Sequence, residues 1–321
     1  MNVFSVRGFW VAALLLALFS GGARAEPDWP QRPITLVVPF GAGGVTDVTA
    51  RTVAKGLQQE LGQSVVVENR PGAGGSIAAS SVARAKPDGY TLMLITNGMV
   101  AVNPLINPSL NYDAFKDFDY VSMIASTPLV LVVPAASPVR SLQELLELAR
   151  REPESLAFAS SGIGTSIHQV LALLQHQSGA SFMHIPYKSG AEAVTAVLSG
   201  AVQASAVETV VVNSFVESGK MRALGVTSAK RVGGSLADIP ALSERLGQDF
   251  DVGSISGLVA PAGMPAEPMR TLELAMAKVL QSPDMQSLYA QGSQPVELGA
   301  VAFRKKMEQE AVKWKEVFKP S

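Results

Sequence analysis

The chain has 321 residues, a formal net charge of −1 and no cysteine. That charge balance leaves no broad basic field for nucleic acid or an anionic membrane, so any anion recognition must be local. The missing thiols exclude disulfides, thiolate metal sites, a cysteine nucleophile and a lipid-accepting cysteine, while 47% hydrophobic and 17% charged residues suit a globular chain with room for two cores.

The first element is an export signal. Arg7 precedes an apolar run from Phe9 to Phe19, and Ala23-Arg24-Ala25 follows as a small-x-small processing site. This is the pattern of a secretory signal peptide over residues 1–25, cleaved after Ala25. The run is shorter than the roughly 20 apolar residues a membrane span needs. A soluble periplasmic protein is expected.

The mature chain then alternates short β-rich runs with segments of helical period, the pattern of an α/β fold with largely parallel sheets. Ile34 to Val38 reads as a buried strand. A helix follows, with Ala50, Val53, Ala54, Leu57 and Leu61 at helical spacing and Gly62 at its end. Val65 to Glu68 is a second strand, a small-residue helix starts near Ser76, and Tyr90 to Thr96 is a third strand. Tyr120 to Ala125 with Leu129 to Val133 forms an extended passage. Ser141, with Glu144 three residues on, caps the next helix. Ala157–Ser160, Met183–Pro186, Ala201–Val207 and Arg222–Val226 make a second sheet. Past the Pro-rich run Ala260–Pro265, amphipathic helices extend to about Phe318. Two lobes are expected: residues 26–126 with 252–321, and residues 127–251. Two crossings suit a hinge, with the ligand in the cleft between.

One arrangement occurs three times: a strand, a Gly-rich turn, then a helix start. The turns are Pro39-Phe40-Gly41-Ala42-Gly43-Gly44, Asn69-Arg70-Pro71-Gly72-Ala73-Gly74-Gly75 and Ser160-Ser161-Gly162-Ile163-Gly164-Thr165. First-turn N–H groups of a helix lack internal partners and carry partial positive charge, which makes such an end an anion site. A single turn of this kind is common backbone chemistry. Three in one chain, two in one lobe and one in the other, point to a binding site.

Other chemistries do not fit. The turns lack the third glycine of a dinucleotide fingerprint, and no Gly-Lys-Ser/Thr follows any of them. There is no Gly-x-Ser-x-Gly elbow and no paired-histidine zinc motif, so no enzyme, metal or cofactor is expected. Several residues keep two readings. Arg70 either clamps a carboxylate or fixes its own turn through a salt bridge. Asp47 caps the first helix or reaches the ligand. His168, one turn into the third Gly-rich element, orders the loop or faces the cleft, with support of the loop favoured. Tyr187 and Lys188 follow a second-lobe strand, where a tyrosine often meets ligand and a lysine is usually solvated.

At these same residues the sequence resembles receptors of the tripartite tricarboxylate transporter family, often called Bug receptors. The resemblance runs through Trp29-Pro30-Gln31-Arg32-Pro33-Ile34, Val38 to Gly44 with Asp47, Glu68 to Gly75 and Lys86-Pro87-Asp88-Gly89-Tyr90-Thr91. It continues through Asn103-Pro104, Gly162-Ile163-Gly164-Thr165 with His168, Ile185-Pro186-Tyr187-Lys188, Gly219-Lys220 with Arg222-Ala223-Leu224, and Leu258 to Gly263. It implies a two-lobed periplasmic binding fold, type II-like, closing on a small carboxylate such as a dicarboxylate, a citrate-like acid, an aromatic acid or an acidic amino acid. By the same resemblance, Phe40, Gly43, Gly44, Asp47, Gly74 and Gly75 form the carboxylate site, and Ser161, Gly164, Thr165 and Tyr187 close from the other lobe. Two positions depart from the family pattern. Val207-Glu208 stands where relatives often place Asp or Ala then Asn or Ser, so Glu208 either enters the cleft and favours an amine-bearing or less anionic ligand, or faces elsewhere. Ile255-Ser256 replaces an aromatic pair, which alters pocket volume.

A monomeric transport receptor handing its solute to membrane permease subunits is therefore the expected function. A ligand sensor reporting to a sensor kinase of a two-component system is the alternative, and a periplasmic hydrolase fits less well for want of a nucleophile–base pair.

Overall fold

The computed structural model describes residues 29–247, 250–296 and 299–318. The expected signal peptide, residues 1–25, lies outside the described residues.

Ile34–Val38 (β1) is apolar and β-branched at nearly every position and is almost wholly buried. Its alternate residues serve opposite faces of the sheet: Leu36 joins one core with Val53, Leu94 and Met276, and Val37 joins another with Met93, Phe118 and Phe303. Helix α1 (Val45–Leu61) follows, burying Ala50, Val53, Ala54 and Leu57 on one stripe and ending at the left-handed Gly62. The chain continues through β2 (Val65–Asn69), α2 (Ser76–Val82) and β3 (Thr91–Thr96), then a π-helical turn at Gly98–Val102 and α3 (Asn103–Ile106). Strands β1, β2 and β3 are mutually parallel through β1, in the expected manner.

Strand β4 (Phe118–Pro134) is 17 residues long. Beyond it come α4 (Leu142–Arg151), β5 (Ala157–Ser160), α5 (Ser166–Ser178), β6 (Met183–Pro186), α6 (Gly190–Leu198), β7 (Ala204–Glu208), α7 (Thr209–Glu217), β8 (Met221–Val226) and α8 (Ser243–Leu246). Ser141 caps α4 by accepting from the Glu144 N–H at 3.2 Å, as its spacing predicts. The return leg is β9 (Gly253–Pro261), α9 (Ala266–Leu280), α10 (Pro283–Ala290), β10 (Gln294–Pro295) and α11 (Ala300–Lys313).

The sheet runs β2-β1-β3-β9-β4-β7-β5-β6, with β8 and β10 also on β4. The first part of β4 pairs antiparallel with β9, and the last part pairs antiparallel with β7 and β8. One strand therefore leads out of the first lobe and into the second, and β9 brings the chain back beside it in the opposite direction. The expectation of largely parallel sheets is corrected by this pair: the sheet is mixed, because the two crossing strands lie next to each other and run opposite ways. Within the second lobe, β5 is parallel to both β6 and β7. Cores lie on both faces there as well, around Leu131, Phe158 and Leu171 on one side and Val130, Ala159 and Val197 on the other.

The C-terminal segment also differs from expectation. Trp314 and Phe318 belong with the core of Leu131 and Phe158, and Phe318 lies 5.4 Å from the His168 ring of α5. The end of the chain thus leaves the first lobe and packs on the second, a third connection that a reading of two crossings does not include.

Candidate functional site

A small cavity lies between the lobes, about 390 Å³ counting its open mouth. The first lobe contributes Phe40, Gly44, Val45, Thr46 and Thr96, with Ser254 at the start of β9; the second contributes Ser161, Thr165, Ser166, Ser189, Gly190 and Glu208. In terms of elements, four helix starts meet here: α1 after Gly44, α5 after Thr165, α6 after Ser189 and α7 after Glu208. At α1, α5 and α7 no side chain caps the first-turn amides. Thr165 instead donates its hydroxyl to the Gly162 carbonyl at 2.7 Å. Uncapped amides at converging helix ends hold an anion by hydrogen bonding and by dipole.

The first wall is fixed from below. Asp47 is buried, and both its oxygens are engaged: Oδ2 accepts from the Gly43 N–H and Arg51 Nε, each at 3.0 Å, and Oδ1 accepts from Arg51 Nη2 at 3.0 Å and Asn69 Nδ2 at 2.9 Å. Burial alone pushes the carboxyl pKa up, but the hydrogen bonds from Arg51, Gly43 and Asn69 outweigh it and hold the group below its ordinary value. Asn69 also donates to the Phe40 carbonyl at 3.0 Å, tying the first Gly-rich turn to the second. Asp47 is thus a brace for the turn, and it does not line the cavity.

The second Gly-rich turn is likewise outside the lining. Gly74, at φ +60°, comes so near the Ile163 carbonyl that a Cβ there would sit 2.2 Å from its oxygen. Gly164, at φ +84°, approaches the Asn103 side chain as closely. These bare backbones let the second and third Gly-rich turns press together across the cleft. Gly75 packs on Met99 and Pro39. Further contacts join the lobes: the Gly41 N–H donates to the Lys188 carbonyl at 3.2 Å, and buried Asn97 donates to Gln169 Oε1 and accepts from the Ser166 hydroxyl, both at 3.2 Å. The arrangement is closed.

The remaining candidates fall into place by geometry. Arg70 is bidentate to Glu68, at 2.6 and 2.9 Å, so its salt bridge fixes its own turn. His168 accepts the Gly164 N–H on Nδ1 at 3.0 Å and stacks on His184 at 4.4 Å, ordering the third turn from behind. Burial, with His184 alongside, lowers the His168 pKa to about 4. Tyr187 lines an open groove beside the cavity, next to Ala42 and Ser189. Gly43 lies at the bend of its turn, outside the lining.

Glu208 does enter the cavity. It ends β7 opposite Leu129 of β4, is 5% exposed, and its Oε2 has no hydrogen-bond partner. Burial raises its carboxyl to about 7, against the opposing pull of its own N–H and the Ser254 hydroxyl.

Sequence reasoning missed seven of the twelve lining residues. Ser189 and Gly190 had a legible signal, since Ser189 with Glu192 is a capping box, and the Ser189 hydroxyl does accept from the Glu192 N–H at 3.2 Å. Val45, Thr46 and Ser166 follow directly from the helix starts. Thr96 and Ser254 carry no local signal; the sheet order alone brings them in. It also missed a hydrogen bond between Ser160 Oγ and His184 Nε2 at 2.6 Å. That pair is no nucleophile and base facing a substrate, because Ser160 is fully buried and bonded to Gly162. Among the described residues, no group of acidic or histidine side chains is arranged to hold a metal.

Residues 49–320 match the family model described as the tripartite tricarboxylate transporter family receptor. The chain belongs to that family. It is 35% identical to Protein BugT of Bordetella pertussis, over 89% of this chain and 88% of that one. It superposes on Rpa4515 of R. palustris, solved with adipate, at a TM-score of 0.85 and 34% identity, covering 90% of this chain and 97% of the other. MatC from Rhodopseudomonas palustris, solved with bound malate, gives a TM-score of 0.86 at 29% identity, covering 91% and 100%. BugD, solved as a periplasmic binding protein, gives a TM-score of 0.86 at 32% identity, covering 90% of this chain and 97% of that one. This family receptor therefore has the two-lobed α/β fold of a periplasmic binding protein and is a binding protein rather than an enzyme.

Proposed function

We propose that this chain is a periplasmic receptor that closes on a small carboxylate and delivers it to the permease subunits of a tripartite tricarboxylate-type transporter. The observation that carries the reading is the convergence of four helix starts on one interlobe cavity whose lining contains no Lys, Arg or His. A carboxylate there is held by backbone amides and hydroxyls, with Phe40, Gly44, Ser161 and Thr165 around it. Hydrogen bonds to a charged group contribute about 1.5–3 kcal/mol each, so a few of them reach micromolar affinity, about −8 kcal/mol. The adipate and malate held by relatives of the same fold support this ligand class.

In this reading the mature chain begins after Ala25, and residues 127–251 move as the second lobe, with Trp314 and Phe318 packed on it, against 26–126 and the rest of the return segment. Asp47, Arg70 and His168 hold the turns, while Gly43, Gly74, Gly75, Gly164 and Tyr187 shape and seal the closed state. The test is a thermal-shift screen of the mature protein against mono-, di- and tricarboxylates and amino acids. Binding to the native state alone raises stability by about 2.7 kcal/mol at a hundredfold excess over Kd. A clear shift confined to one class of these carboxylates is expected. No shift with any of them, after unfolding and refolding to remove retained ligand, overturns the reading.

A further inference from the structure

We infer that Glu208 selects a ligand carrying an amine beside its carboxylate, so that the receptor takes an amino acid in preference to a plain di- or tricarboxylate. The inference rests on the receptor reading above and narrows its ligand class. It starts from a carboxyl group aimed into the cavity: Glu208 is 5% exposed, and Oε2 has no partner. It is the sole titratable side chain of the lining, whose other members are neutral. An unpaired carboxylate buried in this way is strongly unfavourable and is relieved only by a proton or by a cation. Ser254 stands beside it, and Gly190 flanks it so closely that a Cβ on Gly190 would lie 3.4 Å from Oε2.

Charge balance then decides between ligand classes. The uncapped amides of α1 and α5 satisfy one carboxylate. A zwitterion completes the site, with its carboxylate on the amides and its ammonium on ionised Glu208. A dianion instead adds a second negative charge to a cavity that already holds Glu208 and lines no cation. The position of Glu208 near neutrality, at about 7 without ligand, lets an ammonium convert it fully to the ionised form. The competing arrangement, in which neutral Glu208 donates to a second ligand carboxylate, moves protons in the opposite direction.

The experiment is calorimetric titration of mature wild-type protein and Glu208→Gln with matched pairs: succinate and L-aspartate, glutarate and L-glutamate, 3-phenylpropionate and L-phenylalanine. Runs at neutral pH in buffers of different ionisation enthalpy count the protons exchanged. The expected result is an amino member binding at least about tenfold tighter than its plain partner, with proton release, and a preference that largely disappears in Glu208→Gln. A plain acid that binds equally well or better, with proton uptake, overturns the inference and leaves the receptor reading standing. No binding by any member overturns the inference, while the receptor reading stands or falls with the wider thermal-shift screen. Should Glu208→Gln fold poorly, the sign of the proton exchange in wild type decides alone.

Discussion

The two walls of the cleft are built on opposite plans. On the first-lobe side every polar group behind the Gly-rich turn is committed: Asp47 receives four hydrogen bonds, and Asn69 bonds both Asp47 and the Phe40 carbonyl. On the second-lobe side Glu208 lines the cavity and keeps a buried Oε2 without a hydrogen-bond partner. A wall whose charged side chains are consumed in bracing presents backbone amides and neutral side chains, which recognise a carboxylate with little regard to charge elsewhere in the molecule. A wall with an uncommitted charge discriminates. The contrast assigns anion capture to one side and ligand choice to the other.

The largest expected effect comes from preventing the walls from meeting. Gly74→Ala places a Cβ against the Ile163 carbonyl, an approach no real side chain tolerates. Ligand affinity should fall by about a hundredfold in calorimetry, while the melting temperature registers only the left-handed backbone cost of about 1–2 kcal/mol. Affinity that survives intact would mean that the turns do not close on ligand as described here.

Breaking the brace should come next. Asp47→Ala removes the acceptor from Gly43, Asn69 and Arg51, and a loss of about 2 kcal/mol is expected in denaturant unfolding, moderated because Arg51 is largely exposed. The depressed Asp47 pKa also fixes a sign. Its contribution to stability is present above the ordinary carboxylate pKa and is lost as pH falls through the lower folded value, so the gap between wild type and variant should narrow in acid.

The histidine stack behind the third turn acts over a higher pH range. The His168 pKa is lowered to about 4 and that of His184 is lowered too, both first by burial. The unfolded chain therefore takes up protons that the native state refuses, and stability falls as pH drops from about 6.5 toward 4. For His168 the loss between pH 7.5 and 5 is about 2 kcal/mol, read as a declining melting temperature that His168→Gln should flatten. The smallest effect belongs to the α6 cap: Ser189→Ala should cost about 1 kcal/mol. Because Ser189 also lines the cavity, a weaker affinity in that variant would add a ligand contact to the second wall.

Local chemistry made much of this legible. The alternation of apolar strands and amphipathic helices marks β1, α1, β2 and β3, and Gly62 and Ser141 sit at helix ends for reasons their own side chains supply. Of the three Gly-rich turns, the first and third line the cavity. The second seals it instead, since Gly74 is spent on the contact with Ile163, a difference visible only once the lobes are placed together. Thr96 and Ser254 were illegible for the same reason: strand order across the sheet brings them to the site. Glu208 stood out in the sequence as a departure, but its direction depended on the pairing of β7 with β4.

The most direct measurement is a crystal structure of the mature protein with the tightest ligand from the screen. Its carboxylate is expected within about 3 Å of first-turn amides of α1 and α5, with Glu208 against the remainder of the molecule. A carboxylate found outside the interlobe cavity, for example in the groove beside Tyr187, would contradict the assignment of the site.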